Sequence, residues 1–165
     1  MSDDSAIAVG DVSVTAALLR AARVAAQATD DAFAADKLTV DHYLVLDTLA
    51  ARPGATMAEL RVDTRIPAPT LTRVVDRLVS IAAVYREVDP DDRRKVRVHP
   101  SPRGRQLHAR LSLTVRDVEE QWLGELPAPE SADLVRALAG LVRVGPDGSG
   151  AGAARLRGAT TSCGH

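Results

Sequence analysis

Pro67-Ala68-Pro69-Thr70-Leu71-Thr72-Arg73-Val74-Val75-Asp76-Arg77-Leu78-Val79-Ser80 is the stretch that decides the fold. Leu71, Val74, Val75, Leu78 and Val79 stand at i, i+3, i+4, i+7 and i+8, which places all five on one face of an α-helix. Thr70, Arg73 and Arg77 fall on the opposite face, with Thr72 flanking it. Proline has no amide to donate, so Pro67 and Pro69 fit only in a first turn, where that amide would have no helical partner anyway. The two prolines therefore set the start of a helix over 67–80.

Upstream, residues 12–36 are rich in alanine and free of glycine and proline, which predicts one long helix with Leu18, Leu19, Ala22, Ala25 and Ala26 as an apolar stripe. Thr39 caps a second helix carrying Tyr43, Leu46 and Leu49, ended by Arg52-Pro53-Gly54. Thr56-Met57-Ala58-Glu59 is a capping box and opens a short third helix containing Leu60. Downstream, Val84–Val88 and Val96–Val98 show period-2 valines, and the charged turn Asp89-Pro90-Asp91-Asp92-Arg93-Arg94-Lys95 joins them into a hairpin. Arg86 is expected either to pair with Asp92 and brace that hairpin or to contact nucleic acid. Ser101-Pro102 opens a further helix through Leu107, Leu111, Val115, Val118 and Trp122. Pro127 and Pro129 break it, and a last helix holds Leu134, Leu138 and Leu141. Residues 1–11 and 144–165 are expected to be disordered; six of the 21 residues from Gly145 onward are glycine.

Composition narrows the function. A chain of 165 residues is about one domain's worth at ~150 residues per domain. Its net charge of −1 hides an asymmetry. Residues 1–60 hold 4 basic and 9 acidic side chains, residues 61–110 hold 12 and 6, and residues 111–165 hold 5 and 7. A positive centre between acidic flanks suits a nucleic-acid contact surface. Phe33, Tyr43, Tyr85 and Trp122 are the only aromatics, too few for folds that stack bases on aromatic rings. The single Cys163 excludes an internal disulfide and a cysteine-based metal centre, and with no basic neighbour it offers no redox switch. No apolar run approaches the ~20 residues of a membrane span, and Met1-Ser2-Asp3-Asp4 is acidic where a secretory signal is basic, so a cytoplasmic location without a membrane partner is expected.

Enzyme readings find no footing. His42, His99, His108 and His165 lack metal-ligand spacing, no Ser-His-Asp set assembles, and no glycine-rich phosphate loop exists. The expectation is no catalytic residue, no metal and no cofactor, with His42 a partly buried polar residue of the second helix.

Two short helices joined by a tight turn and followed by a hairpin make a winged helix-turn-helix. The expected fold is mainly α with a small two-stranded β-wing: a winged helix-turn-helix over 38–100, flanked by dimerisation helices at 12–36 and 101–143. A helix locked to its scaffold by one apolar face can push its polar face into the major groove. A basic wing loop reaches the phosphate backbone or the adjacent minor groove. The candidate DNA contacts are Pro69, Thr70, Thr72, Arg73 and Arg77 on the helix, and Asp92, Arg93, Arg94 and Lys95 on the wing. Arg93, Lys95 and Arg97 are expected to touch phosphate or solvent, with little sequence value.

Residues 38–104 resemble the MarR family of bacterial transcription regulators. The likeness is carried by Leu38-Thr39, Glu59-Leu60, Thr70-Leu71-Thr72-Arg73-Val74-Val75-Asp76-Arg77-Leu78, Tyr85-Arg86, and Asp92-Arg93-Arg94 followed by Gly104. The resemblance implies a homodimer on a pseudo-palindromic operator, most often as a repressor, relieved by a small-molecule effector held between the dimerisation helices and the DNA-binding lobe. By the same resemblance Arg94 is the minor-groove contact and Asp92 orients it. Leu18, Leu19, Leu111, Val118, Trp122 and Leu138 are the candidate dimerisation residues. The chain departs from the family at Thr64 and Arg65, where a small or leucine residue and a turn glycine are usual. It departs again at Pro67, at Ala82 in place of a glycine, and at Pro100-Ser101. These departures motivate the alternative of a winged-helix protein-interaction module without operator binding.

Overall fold

The computed structural model describes residues 13–124 and 128–144. The ends expected to be disordered lie outside the described residues except for Val144, as do Cys163 and His165. The chain runs α1 (Val14–Phe33), a 3-10 turn (Ala34–Asp36), α2 (Val40–Ala51), β1 (Ala55–Thr56), α3 (Met57–Thr64), α4 (Ala68–Ser80), β2 (Val84–Val88), β3 (Val96–Pro100), α5 (Pro102–Leu123) and α6 (Ala128–Val144). It divides into two compact units, residues 1–119 and residues 120–165.

Within the first unit, apolar residues from successive helices and from the sheet close over one core. Phe33, Leu46, Leu49, Leu60, Leu71, Leu78 and Leu111 are its largest fully buried side chains. Three leucines come from the two helices of the helix-turn-helix, so burying them fixes α3 and α4 against α2. Leu111 belongs to this intramolecular core, which corrects its reading as a residue left over for dimer packing.

Caps define the helix ends. Thr56 and Glu59 form the expected box: the Thr56 amide donates to Glu59 Oε2 at 2.7 Å, and the Glu59 amide donates to Thr56 Oγ1 at 3.3 Å. The Thr56 amide and then the Thr56 hydroxyl, both donating to Glu59 Oε2, hold the Glu59 carboxyl below the usual carboxylate range. At α2 the partner of Thr39 is His42, whose Nδ1 accepts the Thr39 amide at 3.1 Å. His42 is only 8% exposed, so it is buried more deeply than its sequence position suggests. Burial first, and then the charge of Arg77, hold its pKa below the ordinary imidazole value.

The wing carries three strands where two were expected. The antiparallel order is β1-β3-β2, with Ala55 opposite Val98, Thr56 opposite Arg97, and Val84 to Val88 opposite Pro100 to Val96. Two residues are too few to show period-2 alternation, which is why β1 is silent in the sequence. Gly54 creates it: at φ 83° it turns the chain so that its amide donates to the Val98 carbonyl at 3.0 Å. Pro100 is tolerated at the end of the central strand because β1 does not extend opposite it.

Three non-glycine residues hold positive φ: Lys37 at 55°, Arg65 at 59° and Ala82 at 56°. Arg65 is the residue in the helix-turn-helix turn where glycine was expected, and the turn does require the left-handed conformation. Ala82 plays the same part before the wing.

In the second unit α6 presents Val135, Leu138 and Leu141 exposed, and Arg136 pairs with Asp133 one turn away. No helix among the described residues is long and apolar enough to cross a membrane.

Candidate nucleic-acid interface

The helix expected to enter the major groove, the recognition helix of the sequence expectation, is α4. Leu71, Val74, Val75 and Leu78 are buried, while Pro69, Thr70, Thr72, Arg73, Asp76 and Arg77 are exposed. Val79, expected with the buried set, lies at the edge of that face and is exposed. Pro67 stands at the cap position with no side-chain bond to the helix, and Pro69 follows within the first turn. The Thr72 hydroxyl donates to the Ala68 carbonyl at 3.0 Å, so Thr72 offers its methyl and an oxygen lone pair outward. Arg73 stands exposed on the solvent side with no side-chain partner among the described residues. Asp76 accepts from Arg86 at 2.7 Å. Arg86 therefore braces β2 against the recognition helix, and its expected pairing with Asp92 is corrected. The pair also cancels the one acidic charge on the outward face of α4.

The wing loop closes on itself through polar groups. The Asp89 amide donates to the Lys95 carbonyl at 2.9 Å, and the Lys95 amide donates to the Asp92 carbonyl at 2.8 Å. Asp92 Oδ1 accepts the Arg94 amide at 3.1 Å, and Asp92 Oδ2 lies 3.6 Å from Lys95 Nζ. Asp92 thus shapes the backbone that carries Arg94 rather than bonding its guanidinium. The side chains of Arg93 and Arg94 stand exposed, with no partner among the described residues.

The residue beneath this loop is Asp89, 3% exposed, which the sequence reading passed over. Its Oδ1 accepts the amides of Asp91 at 2.8 Å and Asp92 at 3.2 Å, and its Oδ2 accepts Arg97 Nε at 2.6 Å. The Asp91 amide and then the Arg97 bond hold the Asp89 carboxyl below its ordinary range. Arg97 also donates from Nη1 to the Gly54 carbonyl at 3.1 Å. It is a structural link between wing and helix-turn-helix, which corrects its reading as a phosphate or solvent contact. The signal available was Asp89-Pro90 at a turn, where an Asp side chain commonly bonds amides two residues on.

Of the candidate dimerisation residues, Leu19, Trp122 and Leu138 are exposed, Leu18 is half-buried, and Val118 is buried. Two cavities flank the start of α5. One, of about 520 Å³, is lined by Asp36, Leu38, Ile81, Arg103, Leu107 and Arg110. The other, of about 440 Å³, is lined by Pro53, Tyr85, His99, Pro100, Arg105 and His108. Tyr85 stacks on His99 with ring centroids 5.3 Å apart, and Tyr43 stacks on His108 at 5.8 Å. His108 Nε2 lies 3.0 Å from Asp47 Oδ1. Sequence spacing gave no sign of this cluster, since its members come from α2, the wing and α5. Among the described residues no group of His, Cys, Asp and Glu could hold a metal ion.

A buried-face helix set beside a three-stranded hairpin wing, with arginines outward on both, is the winged helix-turn-helix of transcription regulators. Comparison with known proteins narrows the class. Residues 37–95 match the model of the MarR family. The chain is 28% identical over 101 residues to a protein assigned as the transcriptional regulator of the hcr operon in Thauera aromatica, a match that covers 61% of each chain. It is equally identical, over 101 residues, to an HTH-type transcriptional repressor of Mycobacterium tuberculosis, covering 61% of this chain and 73% of the repressor. The crystal structure of that mycobacterial MarR family protein with p-aminosalicylic acid superposes with a TM-score of 0.67 at 25% identity, covering 79% of this chain and 98% of the other. The Bordetella bronchiseptica regulator BpsR, whose DNA binding is regulated by 6-hydroxynicotinic acid, superposes with a TM-score of 0.70 at 26% identity over 78% of this chain and 92% of its own. Over residues 37–95 the chain is similar to the MarR family of transcriptional regulators, and its fold is that of solved MarR family structures. Its relatives are regulators, not enzymes.

Proposed function

We propose that this chain is a homodimeric repressor that binds a pseudo-palindromic operator in double-stranded DNA through helix 67–80 and wing 84–98. One observation carries this: Thr70, Arg73 and Arg77 lie exposed on a helix locked by its apolar face, beside a rigid loop that holds Arg93 and Arg94 outward. Arginine donates two bonds in a fork to guanine or to phosphate, so the helix reads base edges and the wing grips the backbone or minor groove. A C2 dimer presents two such helices to two half-sites about one helical turn apart. Leu18, Leu19, Trp122 and Leu138 supply the apolar surface for that pairing, while Val118 is buried within the chain.

The effector we assign is a small aromatic carboxylic acid, the chemistry that the mycobacterial and Bordetella relatives bind. The cavity of about 440 Å³ suits it, with Arg105 for the carboxylate and the Tyr85–His99 stack for the ring.

A salt titration on the duplex upstream of the protein's own coding sequence tests the DNA reading. Specific binding persists at moderate salt, and log K falls linearly with log salt as phosphate-bound counterions are released. Equal affinity for random duplex, or no binding, overturns it and leaves the protein-interaction module. Adding 6-hydroxynicotinic acid or p-aminosalicylic acid is expected to lower operator affinity and raise the melting temperature, and Arg105→Met to abolish both responses.

A further inference from the structure

We infer that Asp89 and Arg97 are positioning residues for DNA reading: the pair fastens the wing loop to the helix-turn-helix, so that Arg93 and Arg94 are presented in fixed register with α4. The inference rests on the DNA-binding reading above and extends it to two residues whose side chains are bonded within the protein. Two sides of Asp89 do different work. Oδ1 gathers the amides of Asp91 and Asp92 and sets the fold of the loop. Oδ2 receives Arg97 Nε at 2.6 Å. Arg97 then reaches past its own strand to the Gly54 carbonyl at 3.1 Å, in the turn that leads into α3.

The loop has no other anchor of this kind. Among the described residues, its remaining polar bonds run within 89–95, and the valines at its base, Val88 and Val96, are exposed and contribute no core. Without the pair the strands stay paired and braced by Arg86–Asp76, but the loop beyond Val88 and Val96 is untied from the helix-turn-helix, and the arginines at its tip lose their register. The buried Asp89 carboxyl gives nothing to DNA directly. It sits under a basic loop, where an anion can only weaken the attraction of phosphate unless it has a positioning task.

That opposition makes the test decisive in sign. Asp89→Asn keeps an acceptor for the loop amides and removes one negative charge. If Asp89 were merely a charge, the variant would bind DNA more tightly. Positioning predicts weaker binding instead, roughly tenfold, about the loss of one good contact. The probe is a duplex recovered from a random-sequence pool by wild-type protein, measured by fluorescence anisotropy across a salt series, with hydroxyl-radical footprinting of the complex. The expected result is weaker binding, loss of protection in the outer minor grooves where the wings lie, and retained protection under the recognition helices. Arg97→Lys covers the case in which Asp89→Asn fails to fold: it keeps the charge but cannot bridge Asp89 and Gly54 together. It is expected to weaken binding with an unchanged salt slope and the same footprint change. Wild-type or tighter binding by a folded Asp89→Asn, or by Arg97→Lys where Asp89→Asn is unfolded, overturns the inference. Failure of the wild-type protein to enrich any duplex overturns the DNA-binding reading itself.

Discussion

The recognition helix and the wing loop are both held rigid, and by opposite means. α4 is fixed by burying Leu71, Val74, Val75 and Leu78 under one apolar face, while Thr70, Arg73 and Arg77 stand exposed on the other. The wing loop has no buried apolar residue and is fixed by the carboxylate of Asp89, three donors upon it, and the reach of Arg97 to Gly54. Apolar burial is non-directional and tolerates small displacements, whereas hydrogen bonds are directional and demand their geometry. A helix can thus be seated by its core and a loop by a few well-aimed bonds. The difference predicts that damage to the first costs the fold, and damage to the second costs function before it costs the fold.

The largest expected effect tests the apolar side. Leu78→Ala removes a fully buried side chain shared between α4 and the core and should destabilise the protein by ~2–5 kcal/mol, read as a lowered denaturation midpoint. A change below about 1 kcal/mol would mean that α4 is not seated by its apolar face. Next comes Arg73→Ala, on the free face of the same helix. It should leave the midpoint in place yet cost ~1–3 kcal/mol of discrimination between operator and mutated operator, if Arg73 makes a bidentate base contact. Equal discrimination by the variant would move the base-reading role elsewhere on α4.

The same contrast explains what was legible in the sequence. The 3.6-residue period of Leu71 to Leu78, the two prolines at its start, and the Thr56–Glu59 box each write their structure locally, so α3, α4 and the hairpin strands stand where the spacing places them. What failed was long-range and polar. Arg86 meets Asp76 ten residues back, and Arg97 meets Gly54 across 43 residues. A charged residue can find several partners of opposite sign within reach, and no period selects among them. Leu111 failed for the converse reason: an apolar stripe on α5 does not say whether its partner lies in the same chain. β1 was invisible because its two residues owe their pairing to Gly54 rather than to any pattern of their own.

On the wing, Arg94→Ala should weaken binding on every duplex alike and reduce the salt slope by about 1, as one phosphate or groove contact is lost. A variant that instead altered base preference would give the wing a reading role that the comparison assigns to α4. Acid titration separates the two anchors further. His42 is held neutral in the fold, with a pKa below 6.5, while the unfolded chain takes up a proton near 6.5. Stability is therefore full above pH 6.5 and declines as pH falls through 6.5, because the unfolded state binds the extra proton. Asp89 works the other way: its pKa is lowered from 3.8, so its contribution is present above that value and lost only in stronger acid. Melting temperature measured from pH 8 to pH 5 should fall in wild type, and fall less steeply in His42→Gln. An unchanged slope in the variant would remove His42 as the group responsible.

The smallest effect is a gain. Ala82 holds φ at 56° in the connection between α4 and the wing, a conformation that costs a residue with a Cβ about 1–2 kcal/mol relative to glycine. The position is exposed, and its bonds are backbone ones: its amide donates to the Val79 carbonyl at 2.9 Å, and its carbonyl accepts the Ser101 hydroxyl at 2.7 Å. Glycine keeps both bonds and loses only a solvent-facing methyl. Against the relieved strain stands the added freedom of glycine in the unfolded chain, about 0.4–1 kcal/mol. Ala82→Gly should therefore stabilise by a net ~0.5 kcal/mol, a small rise in the denaturation midpoint at constant m-value. Gly104, packed near the start of α5 against the residue that follows Ala82, sets the limit of such exchanges: a Cβ there would stand 1.9 Å from the Ala83 carbonyl oxygen, so the reverse change, Gly104→Ala, has no room. If Ala82→Gly destabilises instead, the connection holds its shape through the alanine methyl rather than through its backbone bonds, and the seating of the wing owes more to apolar contact than the comparison allows.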